Sequence, residues 1–267
     1  MGADIKALRT RIKSVDSTLH LTKAMGLVAS SKIRRALERM NRGREYEEAV
    51  AGAIEPLMSS AECARSVYFR QSSGGKLCLV VIAGDRGLAG GYNANVFRLL
   101  REYPDAEIIP IGKRACDRFK ADICSAETFG YDRAGELADR LCRGFAEGRY
   151  DRVGVVCTRY VSMLSQEAVM RPILPLVRKE SAGAVSVAFE PDEATVLEQA
   201  VPAYVAGILV STVRESFASE VAARRCAMDS AGKNAQQMID DLQLEYNRAR
   251  QGAITQEITE IVAGSGT

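Results

Sequence analysis

Residues 3–55 read ADIKALRTRIKSVDSTLHLTKAMGLVASSKIRRALERMNRGREYEEAVAGAIE, a run without proline that ends at Pro56. At heptad spacing, Ile5, Leu8, Ile12, Val15, Leu19, Thr22, Gly26, Ala29, Ile33, Ala36, Met40, Gly43, Glu47, Val50, Ile54 and Leu57 form one seam. Only Glu47 in that seam is charged. A single globular core seldom asks for an apolar stripe this long, whereas a coiled coil does. At 1.5 Å per residue the helix would run about 78 Å, longer than a domain of this size is wide. It is therefore expected to project.

The far end of the chain has the same character. Pro202 is expected in the first turn of a helix, and no proline follows it as far as Thr267. Leu209, Val213, Phe217, Val221, Met228, Ala231, Ala235, Met238, Leu242, Ala249 and Ala253 give a second stripe, poor in large residues. Small seam residues allow close approach, so packing there depends on shape. Gly26, Gly232 and Gly252 each weaken a helix by roughly 1 kcal/mol relative to alanine. Contacts beyond the helix itself are expected to hold these stretches.

Between the two helices the pattern changes to strands alternating with short helices, the signature of a mostly parallel sheet. Strands are predicted at Lys76–Ala83, Glu107–Ile111 and Arg152–Thr158. An edge strand is predicted at Glu167–Leu174, which contains Pro172, and a last one at Val185–Glu190. Helices are predicted at Asn93–Glu102, Arg114–Lys120 and Ala134–Glu147, with Asp192 capping another through Gln199. Ser72–Gly75 and Ser181–Gly183 read as marginal loops. An insert whose ends lie close together returns the chain to its start, so the terminal helices should pair antiparallel. The expected fold is α/β: a long antiparallel coiled coil of N- and C-terminal helices carrying an inserted Rossmann-like domain. Its boundaries are 1–57, 58–201 and 202–267.

Composition narrows the function classes. The chain has 267 residues, 47% hydrophobic and 26% charged, which argues against wholesale disorder. Eleven basic residues against three acidic ones give Met1–Arg44 a local charge of +8, and such a segment wants an acidic partner or a solvated face. The seven cysteines are scattered and lack a Cys-x-x-Cys pair, so they read as reduced, mostly buried thiols. No signal-like segment opens the sequence. The longest apolar runs, Leu77–Ala83 and Val205–Val210, are short for a membrane span, so any membrane link is expected to pass through a partner.

Catalytic patterns are missing. Gly84-Asp85-Arg86-Gly87-Leu88-Ala89-Gly90-Gly91-Tyr92-Asn93 sits between a strand and a helix, where phosphate loops occur. It lacks the Lys-Ser/Thr ending of a P-loop and the Gly-x-Gly-x-x-Gly spacing, and reads instead as a tight structural or protein-contacting turn. His20 sits mid-helix with no expected carboxylate neighbour, and no Asp/Glu cluster has metal spacing. No cofactor is expected. The basic stretch Lys23–Arg44 leaves one alternative, a nucleic-acid-binding coiled-coil arm with an α/β domain. It lacks interleaved aromatics for base stacking.

Three blocks carry a family resemblance. Ile12-Lys13-Ser14-Val15, Leu21-Thr22-Lys23-Ala24-Met25 and Val28-Ala29-Ser30-Ser31-Lys32 resemble the opening helix of F-type ATP synthase γ subunits. Asp85-Arg86-Gly87-Leu88-Ala89-Gly90-Gly91-Tyr92-Asn93 is similar to that family's loop, with Ala89 in place of a frequent cysteine. Ala218-Ser219-Glu220, Tyr246-Asn247-Arg248-Ala249-Arg250-Gln251 and Ile254-Thr255-Gln256-Glu257-Ile258 resemble its final helix. Gly26 stands where the family usually has a longer side chain.

The resemblance implies a non-catalytic rotary central stalk, one copy per complex, inside a ring of three α and three β subunits. It implies contacts with an ε subunit and a c-ring, and a peripheral place on the cytoplasmic face of a bacterial membrane, coupling proton transport to ATP synthesis. No nucleic acid and no direct membrane span are expected. The residues implied to meet partners are Lys23, Met25 and Lys32 on the first helix and Asp85 and Arg86 in the loop. Arg250, Gln251, Thr255 and Glu257 on the last helix complete the set.

Overall fold

The structure is a computed structural model that describes residues 2–71, 75–178 and 188–264, with side chains from Ile5 onward. Residues 72–74 of one predicted loop, the predicted loop Ser181–Gly183 and residues 185–187 of the strand predicted at Val185–Glu190 lie outside the described residues; the other half of that strand, Ala188–Glu190, is irregular and leads into the Asp192 cap, so no strand forms there. The chain divides into two compact units, Ser31–Ala223 and the pair Met1–Ser30 with Arg224–Thr267. Each is described by itself.

Helix α1 runs Gly2–Ser59 and helix α5 runs Glu193–Gly264. Between them lie β1 (Leu77–Ile82), α2 (Tyr92–Leu99), β2 (Glu107–Ile111), α3 (Lys113–Phe119), α4 (Tyr131–Ala146), β3 (Arg152–Tyr160) and β4 (Gln166–Leu174). The strands form one sheet in the order β2-β1-β3-β4. β1 pairs parallel with β2 and β3, and β3 pairs antiparallel with β4. The result is the predicted α/β insert between long terminal helices, with an antiparallel strand on one edge. Pro172 lies in β4, the edge strand, where a missing N–H costs the ladder least.

Both prolines expected to bound helices lie inside them. Pro56 is followed by one more turn of α1, in which Leu57 and Met58 are buried beside Ile54. Pro202 stands ten residues into α5, and the helix starting near Asp192 continues through it instead of ending at Gln199. A proline interior to a helix loses one backbone bond. Leu197, Val201, Val205 and Leu209 on that stretch are all completely buried, and their burial, at roughly 1.5–3 kcal/mol per side chain, outweighs the loss. Asp192 caps as predicted: its carboxylate accepts from Thr195 N and Thr195 Oγ1, both at 2.8 Å.

Alternation along β1 sorts the core of the Ser31–Ala223 unit. Cys78, Val80 and Ile82 face a large cluster with Ile54 and Leu57 of α1, Leu141 and Phe145 of α4, and Val205 and Leu209 of α5. Leu79 and Val81 face the opposite side with Val96 of α2 and Val156 of β3. Here α1 and α5 run antiparallel: Met40 and Ala36 pack with Ala218, and Gly43 lies against Ser211. Glu47, the charged exception in the seam, accepts from Arg171 of β4 at 2.5 Å. It ties the helix to the sheet edge.

In the other unit the helices are also antiparallel. Ile12, Val15 and Leu19 pack with Ala235 and Ile239, while Gly26 lies beside Met228 and Gly232 beside Thr22. One 18-residue stretch of α5 has a mean hydropathy of 1.5, enough by length and composition to cross a membrane, which the short apolar runs did not suggest. Since 56% of it is buried within the protein, it is accounted for as a core helix.

Candidate functional site

Open α/β sheets bind ligands beyond the carboxyl ends of their strands, where the strand order reverses. In this sheet that point lies between β1 and β3, and α5 fills it. Thr158 N of β3 donates to Ser216 Oγ at 3.1 Å, and Ser219 Oγ donates to Thr158 O at 3.2 Å. Tyr160 N donates to Glu215 Oε1 at 3.1 Å, and the same oxygen accepts from Arg44 of α1 at 2.5 Å. Tyr92 buries its ring in this crevice and donates its phenol to Ser216 O at 3.0 Å, and burial pushes that phenol well above its ordinary pKa. A Cβ on Gly84 would come within 2.8 Å of the buried Glu220 carboxyl carbon, so any larger residue there would have to push that carboxylate aside.

The Gly84–Asn93 loop is likewise closed on itself. Gly84 N donates to Asn93 Oδ1 at 2.9 Å, Tyr92 N to Ala89 O at 3.2 Å, and Asn95 N to Gly91 O at 2.8 Å. Gly84 N at its entry and Tyr92 N at its exit are thereby committed within the protein. Leu88, at φ 60° and 65% exposed, forms the loop's apolar tip.

Three of the expected partner-contact residues converge on the segment 124–127. Asp85 Oδ1 accepts from Lys113 N and Ala126 N, each at 3.0 Å; Oδ2 accepts from Ser125 Oγ at 2.6 Å and Glu127 N at 3.0 Å. Burial alone would raise the Asp85 pKa. The hydrogen bonds from Ser125, Glu127, Lys113 and Ala126 override it and hold the carboxyl below its ordinary value. Next to it, Glu127 receives Lys32 Nζ of α1 at 3.0 Å and Arg86 Nη2 at 3.9 Å. Asp85, Arg86 and Lys32 thus form an internal clasp between loop, segment 124–127 and helix α1. Glu127, its centre, was not legible in the sequence, because nothing local marks a carboxylate 95 residues from its lysine.

The other expected residues lie in the terminal-helix unit and are not brought onto this clasp. Lys23 is exposed and Met25 half-buried, near the exposed Leu21, Leu27 and Val28. Lys23 also lines a groove of about 530 Å³ with Leu27, Met228 and Gly232. Arg250, Gln251, Thr255 and Glu257 are all exposed on α5, and Thr255 Oγ1 bonds back to Gln251 O at 2.9 Å. Interleaved with them are Ile254, Ile258 and Ile261, exposed by 46%, 56% and 70%. Their spacing puts three branched apolar side chains on one stripe. The sequence contained this signal, but the polar residues of the same segment drew the reading.

A family model described as ATP synthase matches residues 4–267. An ATP synthase γ chain of Ruminococcus albus is 40% identical over 281 residues, covering 98% of each chain. The chain belongs to the ATP synthase γ chain family. A γ chain of Acetobacterium woodii, named sodium ion specific, is 36% identical and covers 99% of each chain. In structure, the fold resembles a chain of the Euglena gracilis mitochondrial ATP synthase OSCP/F1/c-ring assembly, with TM-score 0.68 and 20% identity. That match covers 98% of this chain and 94% of the other. As a γ chain it is a non-catalytic, central-stalk subunit of an ATP synthase. The nucleic-acid-arm alternative finds no support in these relatives.

His20 does have a carboxylate neighbour: Asp16 Oδ2 lies 3.7 Å from its Nε2, one helical turn earlier, and both side chains are well exposed. The expectation of no neighbour overlooked the i,i+4 spacing. Cys63, Cys78, Cys116, Cys142 and Cys157 are buried, with Cys124 and Cys226 half-buried. Burial pushes the thiols of Cys78, Cys142 and Cys157 up to about 12, which makes them packing residues rather than nucleophiles.

Proposed function

We propose that this chain is the rotary shaft of an F-type ATP synthase, carrying torque between an ion-driven membrane rotor and a catalytic ring of three α and three β subunits. One copy serves each complex, with the ε subunit and the c-ring as further partners. The observation that carries this reading is the end of α5. Ile254, Ile258 and Ile261 stand exposed among Arg250, Gln251, Thr255 and Glu257 on a helix with no buried residue from Ile254 to Gly264. A stripe of that kind needs an apolar housing. The polar residues between are suited to contacts that form and break as the shaft turns.

The working parts divide at 1–57, 58–201 and 202–267: first shaft helix, foot, second shaft helix. Lys23, Met25 and Lys32 are assigned to acidic loops of β, and Arg250, Gln251, Thr255 and Glu257 to the ring's upper contacts. Asp85 and Arg86 are assigned to the foot's contact with β and ε. Lys32, Asp85 and Arg86 would serve there through the clasp on Glu127, which presents them as one rigid surface. The complex is placed at the cytoplasmic face of a bacterial membrane, peripheral, with protons as the coupling ion. A likeness to a sodium ion specific γ chain does not transfer the ion, because the membrane rotor selects it.

The test is reconstitution. The purified chain should show no ATPase activity alone, and α and β subunits should acquire sustained activity when it is added. Capture from native membranes should bring α, β, ε and a c-ring with it. ATP hydrolysis by the isolated chain would defeat the proposal, and ATP synthesis that stops when sodium is withdrawn would defeat its proton part.

A further inference from the structure

We propose that the groove between α1, α5 and segment 126–131 of the Ser31–Ala223 unit binds a phosphorylated nucleotide. The groove has a volume of about 730 Å³, within the range of small-molecule sites. Its cations come from two helices: Arg39 and Arg42 from α1 and Arg214 from α5. Arg39 and Arg42 are exposed, and among the described residues neither has a carboxylate partner. Of the two carboxylates in the lining, Glu127 is already answered by Lys32 at 3.0 Å and Arg86 at 3.9 Å, which leaves Glu45 against three guanidiniums. The balance favours an anion.

The remaining lining favours a planar ring. Tyr46 and Tyr131 meet edge to face, centroids 5.2 Å apart, and both are exposed to the groove side of the protein's surface. Arg214 stands 5.1 Å from the Tyr131 ring centroid and donates to its hydroxyl at 3.4 Å, so this guanidinium is already oriented. Phe129 and Phe217 supply apolar wall. Guanidinium forks suit phosphate oxygens, and aromatic faces suit a base. The inference goes beyond the shaft role and stands independently of it.

The test is calorimetric titration of the full purified chain with ATP, ADP and inorganic tripolyphosphate, with photolabelling by an azido-adenine nucleotide. ATP and ADP should bind saturably, and the label should fall on peptides containing Tyr46 or Tyr131. The double variant R39A/R42A, in which both changed side chains are exposed, should keep its helical circular dichroism and bind ATP at least about tenfold more weakly. Tyr131→Ala should weaken ATP more than tripolyphosphate. Absence of saturable binding, unchanged affinity in R39A/R42A, or label on residues 84–93 would overturn the site. Equal affinity for tripolyphosphate and ATP would overturn the nucleotide assignment.

Discussion

Gly26 and Gly43 both lie in the seam of α1 but meet different neighbours. A Cβ on Gly26 would sit 3.7 Å from Met228 Cβ, an ordinary contact, whereas on Gly43 it would lie 3.2 Å from Arg214 Cδ and 3.3 Å from Ser211 Cα. Gly26→Ala should therefore raise stability by about 1 kcal/mol through helix propensity alone. Gly43→Ala should lower it by about 1 kcal/mol, because the α5 backbone must yield. Urea midpoints distinguish them, and a lower midpoint for Gly26→Ala would contradict the packing described. Asp85 offers a second test. Its folded pKa lies below its ordinary value, so its contribution is intact above the ordinary carboxylate range and is lost as pH falls through the lower folded value. Asp85→Asn should cost about 1–3 kcal/mol at neutral pH, since the amide nitrogen it introduces would face N–H or O–H donors. The gap between wild type and variant should close in acid below about pH 4. A gap that is constant with pH would mean that the carboxylate charge is not what holds segment 124–127.

Elements were legible where periodicity was strong. The sequence reading located β2 at Glu107–Ile111 with the bounds observed, and β1, β3, β4, α3 and α4 within a few residues. Two misses come from reading proline as a boundary, while Pro56 and Pro202 lie inside helices whose burial holds them continuous; a third is the strand predicted at Val185–Glu190, whose described residues Ala188–Glu190 form none. Tertiary links such as Glu47–Arg171 and Lys32–Glu127 had no local signal at all. Along α5 the pairing register has a further consequence. Thr22 faces Gly232 and Gly26 faces Met228; continued one for one, that register sets Ile5 near Ala249 and leaves nothing of α1 opposite the residues beyond Gly252. A lone helical stretch in water is marginal. Amides 254–264 should exchange hydrogen orders of magnitude faster than those of Val205–Val213 in the isolated chain, and slow markedly in the assembled complex. Slow exchange of the tip in the isolated chain would show that it already has a partner.

For the whole molecule, the question is which part of the surface makes it a shaft in a housing. The expected contacts are, apart from Met25, polar or charged, yet exposed charged residues on a helix contribute little each, about 0–1 kcal/mol for an ion pair. Burying an isoleucine side chain is worth roughly 1.5–3 kcal/mol, so three of them on one stripe outweigh the polar residues around them. The variant Ile254→Glu/Ile258→Glu/Ile261→Glu should leave the urea midpoint of the isolated chain unchanged, because those side chains are exposed there. It should weaken association with the α/β ring far more than tenfold, since each 1.4 kcal/mol is worth a factor of ten. Gln251→Ala/Thr255→Ala should alter association by less than about tenfold and act instead on turnover, if those side chains make contacts that form and break during rotation. Binding measurements with purified α and β subunits separate the two. Equal losses in both variants would shift the weight back to the polar set, and an unimpaired triple variant would mean that this stripe is not the surface the ring encloses.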